Sequence, residues 1–283
     1  CRLIWADSTM VNSIKEKLDE TDTISEIRLM LGHNKNNVCV VVEGESDQAL
    51  FRALLSDEVI LFQSYSSKIG VDNIVKKYFT RNKRVIGIRD KDYSKRPVSS
   101  NCFFCDYSCV EMMILSIDSC SERLFCNFYK GSTFDKDTIK KYCLERLELL
   151  SRLRQLNELK KWKIHFDGIK PGRLHNKNIS VMEKSIVDEI NLQNPGNIID
   201  QKRKNLCSKY SKCTSIQDYL QITNGHDYIN LFCEICKKHY KGVSINSIDQ
   251  AFRTSFGPSE FKLTTLYNNL YEYQIKKHLS IVP

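Results

Sequence analysis

The stretch Val40–Phe51, VVVEGESDQALF, places three valines directly before a glutamate, a glycine and two further acids. The stretch Arg84–Asp92, RVIGIRDKD, repeats this arrangement of an apolar run followed by acids about forty residues later. Strands of a parallel sheet are covered on both faces, so they read as unbroken apolar runs without polar alternation. Both stretches therefore predict buried strands that end in clusters of carboxylates.

Strand and helix signals alternate through this part of the chain. Strands are predicted at 37–42, 59–62 and 84–89, and helices from Ser46 or Asp47 through Leu55 and over 69–79. The spacing of apolar residues in the second helix predicts an inner face of Ile69, Ile74, Val75 and Tyr78. Such alternation predicts an α/β fold, a parallel sheet flanked by helices with right-handed crossovers.

The acidic residues after the first and third strands form a candidate metal site. They are Glu43, Asp47, Asp90 and Asp92. Ligands of parallel sheets bind beyond the carboxyl ends of the strands, and an extended backbone would turn Asp90 and Asp92 to the same side. Mg²⁺ prefers oxygen ligands, and these acids could hold one ion or two. The alternative to a metal site, for either cluster taken alone, is that the acids lie at the end of a strand only to keep the surface soluble.

The pattern changes after Lys95. A helix or strand is predicted at 109–115, one long helix or a helical hairpin at 135–161, a helix at 227–240, and a helical lead-in at 8–20. We therefore expect an α/β core at 1–132 that includes the lead-in. A mostly helical region at 133–283 would serve partner binding, self-association or substrate binding.

The charge of the chain favours a polyanionic partner. The formal net charge is +9, from 43 basic and 34 acidic residues. The basic residues cluster in two groups, the first with Arg81, Lys83 and Arg84 and the second with Lys202, Arg203, Lys204, Lys209 and Lys212. A solvated surface is the alternative for both groups.

The twelve cysteines are interpreted as reduced thiols, because the chain is too long to need disulfides for its stability. Two pairs have CxxC spacing, Cys102 with Cys105 and Cys233 with Cys236. The second pair lies in a predicted helix, where core thiols are favoured over a zinc site. No apolar stretch approaches bilayer length and no secretory signal is visible, so a cytoplasmic protein without membrane contact is expected.

The segments VVVEGESD and VIGIRDKDYS together resemble the Toprim domain of topoisomerases, primases and nucleases of the overcoming-lysogenization-defect (OLD) group. The Toprim motif is a glutamate after the first strand and an Asp-x-Asp after a later one. Glu43 matches the glutamate, and Asp90 and Asp92 match the pair. Asp47 is similar to an additional acid of the nuclease branch.

Two further segments resemble the Toprim nucleases. FFCDYSCVEMMIL at 103–115 supplies Glu111 at the position of an acid that opens a helix, and NGHDYINLF at 224–232 is similar to a late Gly-His-Asp segment. The combination is most similar to the AriB-type effector nucleases of the PARIS anti-phage systems. A packed histidine beside a helix cap is the alternative for His226.

The resemblance implies phosphodiester cleavage that depends on Mg²⁺ or Mn²⁺. In that interpretation the catalytic residues are Glu43, Asp47, Asp90, Asp92 and Glu111, and the first four bind metal. Glu43 could instead act as a general acid or base. Nucleic-acid contacts are expected from Lys91, Arg81, Lys83, Arg84 and His226. Tyr93 is interpreted as a packing residue and not as a topoisomerase nucleophile, which favours hydrolysis.

The resemblance also implies partners. An ABC-type ATPase of the AriA kind would restrain the toxic nuclease, and release would permit a homodimer. The substrate could be DNA, tRNA or other RNA, because phosphate contacts carry no sequence information. The alternatives are a Toprim-like module that binds nucleic acid or an ATPase without cleavage, and a phosphatase or glycosyltransferase of the Asp-x-Asp type.

Overall fold

The structure is a computed structural model that describes residues 19–209 and 212–283. Its strands are β1 (Val38–Val42), β2 (Val59–Gln63), β3 (Val85–Arg89) and β4 (Cys102–Phe104). Its α-helices are α1 (Glu20–His33), α2 (Glu45–Arg52), α3 (Ser67–Asn73), α4 (Val110–Ser116), α5 (Asp118–Phe128), α6 (Lys136–Arg146), α7 (Glu148–Lys160), α8 (Ile179–Gln193), α9 (Gln201–Lys209), α10 (Ile216–Leu220), α11 (Gly225–Lys237), α12 (Ile245–Thr254), α13 (Pro258–Phe261) and α14 (Thr265–Lys277). The predicted lead-in helix at 8–20 lies almost entirely outside the described residues.

The described chain divides into two compact units. The first contains the described residues up to Arg89, together with Arg96–Phe104 and Leu266–Pro283. The second contains Asp90–Lys95 and the described part of Cys105–Thr265. The boundary expected from the sequence near residue 132 falls between α5 and α6, inside the second unit.

A parallel sheet of four strands organises the first unit, in the order β2-β1-β3-β4. Val41 of β1 lies opposite Phe62 of β2 on one side and Gly87 of β3 on the other. All residues of β1 and β3 are buried, as the unbroken apolar runs predict. The parallel sheet flanked by helices confirms the α/β fold class. β4 was not predicted, because a strand of three residues carries no readable periodicity.

The helix predicted at 69–79 consists of two parts. α3 ends at Asn73 and continues as a single turn of π-helix at Ile74–Tyr78. Ile74 and Val75 are buried as predicted, but the prediction for Ile69 is wrong, because 62% of its surface is exposed. The wider π-helical turn shifts the face of the helix relative to a regular period of 3.6 residues.

A close approach between α3 and the sheet explains a glycine in the middle of β3. A Cβ atom at Gly87 would lie 2.8 Å from Val71 Cγ1 and 3.0 Å from Val75 Cγ1. Real Cβ atoms require more space than this, so only glycine permits the helix to pack so near the strand.

The second unit is helical. The segment predicted as one long helix or a hairpin forms two successive helices, α6 and α7. Leu147 lies between them and is both the C-cap of α6 and the N-cap of α7. Cys233 and Cys236 are fully buried in α11, which confirms the prediction of core thiols. α11 ends at Lys237, three residues before the predicted end, and Tyr240 beyond it is half exposed.

Candidate functional site

The first acids of the sequence pattern lie at the carboxyl end of β1 in the first unit. Glu43 follows the strand and is half-buried, and Gly44 begins α2 in an extended conformation. The Asp47 carboxylate accepts a hydrogen bond from the Gly44 N–H at 3.2 Å. The Gln48 side chain donates to the Leu61 carbonyl at 2.8 Å, which fixes the first turn of α2 against β2. These contacts hold the acidic turn at the sheet edge where the sequence predicts it.

The end of β3 is fixed by a buried ion pair that the sequence did not reveal. Arg89 is 4% exposed, and its Nε donates to Asp72 Oδ1 at 2.7 Å. The Arg89 guanidinium also lies over the Phe104 ring, 4.6 Å from its centroid. Arg89 is thus held by α3 and β4 at once. Asp90 is the next residue in the chain.

The loop Asp90–Lys95 belongs to the second unit. The Asp90 carboxylate accepts a hydrogen bond from the Val110 N–H at 2.9 Å, at the start of α4. The Asp92 N–H donates to the Ser108 carbonyl at 2.7 Å. Asp92 has a φ angle of 46°, in the left-handed region. The expectation of an extended backbone through Asp92 is therefore wrong, because the chain turns at Asp92, three residues after the end of β3.

Lys91 and Tyr93, on either side of Asp92, both contact the segment that follows α10. Lys91 Nζ donates to Gln221 Oε1 at 2.8 Å. The Tyr93 hydroxyl donates to the Ile222 carbonyl at 3.3 Å, and burial raises the pKa of its phenol. Tyr93 thus has the packing contacts expected of it.

Glu111 lies in the first turn of α4 and is nearly buried. Its Oε1 pairs with the Arg253 guanidinium at 3.3 Å. A Cβ atom at Gly225 would overlap the Glu111 carboxylate, lying 2.7 Å from its Cδ atom, so α11 begins with a glycine where the glutamate needs room. Arg253 is a contact that sequence reasoning missed, since no local pattern connects it with Glu111.

The negative charges of Asp90 and Glu111 both act on the Cys109 thiol. Burial, followed by the negative charges of Glu111 and Asp90, raises the pKa of the Cys109 thiol well above its usual value. Cys109 itself precedes α4 and is buried. Within the second unit the structure therefore places two of the predicted catalytic acids beside the start of the same short helix.

In the Gly-His-Asp segment at the start of α11, Asp227 is buried and His226 is exposed. The alternative of a packed histidine is therefore wrong. Asn224 caps α11 by accepting the Asp227 N–H at 3.2 Å, and His226 is exposed. The Asp227 carboxylate accepts hydrogen bonds from Nε and Nη2 of Arg154, at 2.7 and 3.0 Å. Burial raises the pKa of Asp227, and the Arg154 charge opposes part of that rise. Exposure leaves His226 able to contact a ligand.

The basic residues before β3 lie at the opposite end of the strand from the acids. The Arg84 guanidinium donates to the carbonyls at the end of α1, those of Leu31, Asn34, Lys35 and Asn37, at 3.0–3.3 Å. Lys83 Nζ donates to the Lys277 carbonyl at 2.8 Å, and Arg81 is exposed. Arg84 thus caps a helix, which differs from its expected contact with nucleic acid.

An open cleft of about 680 Å³ in the second unit includes Asp92 in its wall. Three lysines line it, Lys91, Lys95 and Lys160, together with the side-chain amides of Gln155 and Gln221. Cationic and amide donors beside a carboxylate are suited to a phosphate group. The sequence did not predict this cleft, because its residues come from three separate segments.

The acids have the right chemistry for a hard cation, since carboxylate oxygens are the ligands that Mg²⁺ prefers. Across 19–209 and 212–283, however, no three His, Cys, Asp or Glu side chains converge in an arrangement that could hold a metal ion. The structure thus supplies ligands of the correct type without gathering three of them around one point.

Comparison with protein-family models, with curated proteins and with solved structures found nothing similar. Among the helices that the structure describes, none combines the length and the apolar character needed to cross a bilayer.

Proposed function

We propose that the chain is a metal-dependent nuclease of the Toprim type, which hydrolyses phosphodiester bonds. The observation that carries the proposal is the register of the sheet. Val41 of β1 pairs with Gly87 of β3, and the strands are parallel neighbours. Acids that follow both strands therefore leave the sheet at the same edge. Glu43 follows β1 directly, and Asp90 and Asp92 follow β3.

In this proposal Glu43, Asp90 and Asp92 bind Mg²⁺ or Mn²⁺, with Asp47 and Glu111 as further acids of the site. The metal would polarise the scissile phosphate and stabilise the charge of the leaving oxygen. An ionised carboxylate has two oxygens with about four acceptor positions. The amide contacts of Asp47 and Asp90 are therefore compatible with binding a cation as well, and they orient both side chains beforehand.

Buried neighbours would position the acids. The Arg89–Asp72 pair fixes the residue before Asp90, and the Val110 N–H holds the Asp90 carboxylate. The Asp92-lined cleft supplies Lys91, Lys95 and Lys160 as phosphate contacts. A substrate phosphate bound there would lie beside one of the acids, which supports a phosphodiester over a small apolar substrate.

The biological setting of the proposal depends on the resemblance. We propose a toxic cytoplasmic effector of anti-phage defence, held inactive by an ABC-type ATPase and dimeric when released. Co-expression with such an ATPase followed by size-exclusion chromatography tests this. Co-elution and restored growth of the host would support restraint, and independent elution with unchanged toxicity would contradict it.

The nuclease proposal is tested with labelled RNA, single-stranded DNA and duplex DNA, in Mg²⁺, in Mn²⁺ and in EDTA. Wild-type protein should cleave at least one substrate only with metal. Glu43→Gln keeps the size of the side chain and removes its charge, so it should reduce the rate at least about 100-fold, as the loss of a key transition-state contact does. Glu45→Gln, two residues away on the exposed side of α2, is the matched control and should retain activity.

Three results would contradict the proposal. They are cleavage that persists in EDTA, equal loss of activity in the two glutamate variants, and binding of nucleic acid without cleavage under every metal condition. The last result would favour the non-cleaving module. Turnover of small phosphoesters or nucleotide sugars in the same preparations would favour the Asp-x-Asp enzymes.

A further inference from the structure

A basic and aromatic surface in the second unit has no part in the acidic site. Trp162 is half-buried and lines a cleft of about 710 Å³ with residues of α9. Three charged side chains of this cleft are basic, Lys202, Arg203 and Lys209, and one is acidic, Asp200. The cleft therefore combines net positive charge with an indole ring.

The Trp162 ring is held in a defined position. Lys161 and Lys163 on either side of it have left-handed backbone conformations, with φ angles of 52° and 59°. The Asn197 side chain donates to the Trp162 carbonyl at 2.7 Å and to the Lys163 carbonyl at 3.2 Å. The Arg203 guanidinium lies over the ring, 5.1 Å from its centroid. A platform fixed in advance loses little conformational entropy when a ligand stacks on it.

The remaining charges of the surface are arranged for an anionic ligand. The Asp200 carboxylate accepts the Arg203 N–H at 2.8 Å and so caps the start of α9. The Arg203 guanidinium donates to the Ile198 carbonyl at 2.7 Å. Two exposed lysines line the cleft, Lys202 and Lys209, and two more, Lys161 and Lys163, flank Trp162 in the chain. None of the four forms an ion pair with another residue that the structure describes. Their charge is available to phosphates.

We propose that the Trp162 surface, consisting of Trp162, Arg203 and these four lysines, binds single-stranded nucleic acid. A base would stack on the Trp162–Arg203 pair while the lysines contact the flanking phosphates. Proteins that bind single strands combine a basic groove with aromatic stacking in this way. A duplex hides the faces of its bases, so it could use only the lysines.

The Trp162 surface continues toward the Asp92-lined cleft. Lys160 lines that cleft and precedes Trp162 by two residues, a separation of at most about 7 Å along the chain. A strand stacked on Trp162 could therefore extend past Lys160 to Asp92. This role as a substrate surface rests on the proposed nuclease function, but the binding chemistry does not require it.

The test measures binding in EDTA, where cleavage cannot interfere. Fluorescein-labelled oligo(U), oligo(dT) and a duplex, each about 12 nucleotides long, are titrated and followed by anisotropy. Either single strand should bind at least about tenfold more tightly than the duplex. A preference between oligo(U) and oligo(dT) identifies RNA or DNA as the source of the strand.

Two variants separate the stacking contact from the charge contacts. Trp162→Leu keeps apolar bulk without an aromatic face and should weaken single-strand binding about tenfold, with duplex binding unchanged. Lys202→Gln with Lys209→Gln should weaken binding to all probes and reduce the salt slope by about 1.4 for the single strands and about 1.8 for a DNA duplex. Lys184→Gln with Lys262→Gln removes two exposed lysines elsewhere in the second unit and is the matched control.

The proposal is overturned if the duplex binds as tightly as the single strands. It is also overturned if the two lysine variants, Lys202→Gln with Lys209→Gln and the control, give the same affinity and salt slope. Because these lysines are exposed, that comparison stands even where Trp162→Leu does not fold. Binding is measured in EDTA and cleavage in the presence of metal, so a failed nuclease test and a failed binding test are distinguishable.

Discussion

The ion pair between Arg154 of α7 and Asp227 of α11 gives the sharpest stability prediction. Two of the three Arg154 guanidinium nitrogens donate to the Asp227 carboxylate, at 2.7 and 3.0 Å, and the side chains are 22% and 4% exposed. Removing one partner of a buried pair costs about 3–5 kcal/mol, because the other charge remains buried without compensation. Since a fifth of Arg154 reaches solvent, we expect Arg154→Met to lower the free energy of unfolding by about 3 kcal/mol.

A double-mutant cycle isolates the pair. Asp227→Asn leaves an arginine that can turn toward water, so it should cost only about 1–2 kcal/mol. The double variant should then be more stable than the sum of the single effects by at least about 1 kcal/mol. Lys160→Met, an exposed site on the same helix, is the control and should stay within about 0.5 kcal/mol of the wild type. Urea denaturation followed by circular dichroism and tryptophan fluorescence measures all four.

The pH dependence of Arg154→Met provides an independent check. Burial raises the pKa of Asp227 and Arg154 opposes that rise, so the variant should have a still higher pKa. A carboxyl group with a raised pKa in the folded state binds its proton more tightly there than in the unfolded chain. Stability therefore increases as the pH falls toward the ordinary value near 4. The deficit of the variant should shrink from pH 7 to pH 4.5. Additive effects in the cycle, or a deficit independent of pH, would refute the reasoning.

Three further predictions concern single sites. Gly225→Ala should lower the free energy of unfolding by about 1–3 kcal/mol in a urea titration, because its methyl group would overlap the buried Glu111 carboxylate. A variant as stable as the wild type would contradict this packing. Arg84→Met should lower the melting temperature, because the charged hydrogen bonds to carbonyls at the end of α1 are lost, at a cost of about 1.5–3 kcal/mol. Lys83→Met is the control and should change the melting temperature far less, because the exposed Lys83 ammonium donates to one carbonyl only among the described residues. Iodoacetamide at neutral pH should alkylate exposed Cys126 rapidly and Cys236 only on unfolding, because burial raises the pKa of the Cys236 thiol to about 12. Peptide mass spectrometry measures the order of alkylation, and the reverse order would contradict the burial of Cys236.

The sequence alone determined the central strands and the acids that follow them. Continuous valine and isoleucine runs are a local signal, because a strand covered on both faces needs apolar residues at every position. β1 and β3 are parallel neighbours. Glu43 is the residue after β1 and Asp90 the residue after β3, so each follows the carboxyl end of its strand through the covalent chain alone. The fold class and the edge of the sheet that bears the acids were therefore readable without a structure.

Tertiary packing decided which partner each charged side chain has. Arg253 meets Glu111 across 142 residues of sequence, and Arg154 meets Asp227 across 73. No periodicity encodes such distances, because a helix shows only which face is buried and not what lies against it. The left-handed turn at Asp92 and the stacking of Arg203 on Trp162 have the same origin. Local propensity fixes the elements, whereas the contacts that build a site follow from how those elements pack.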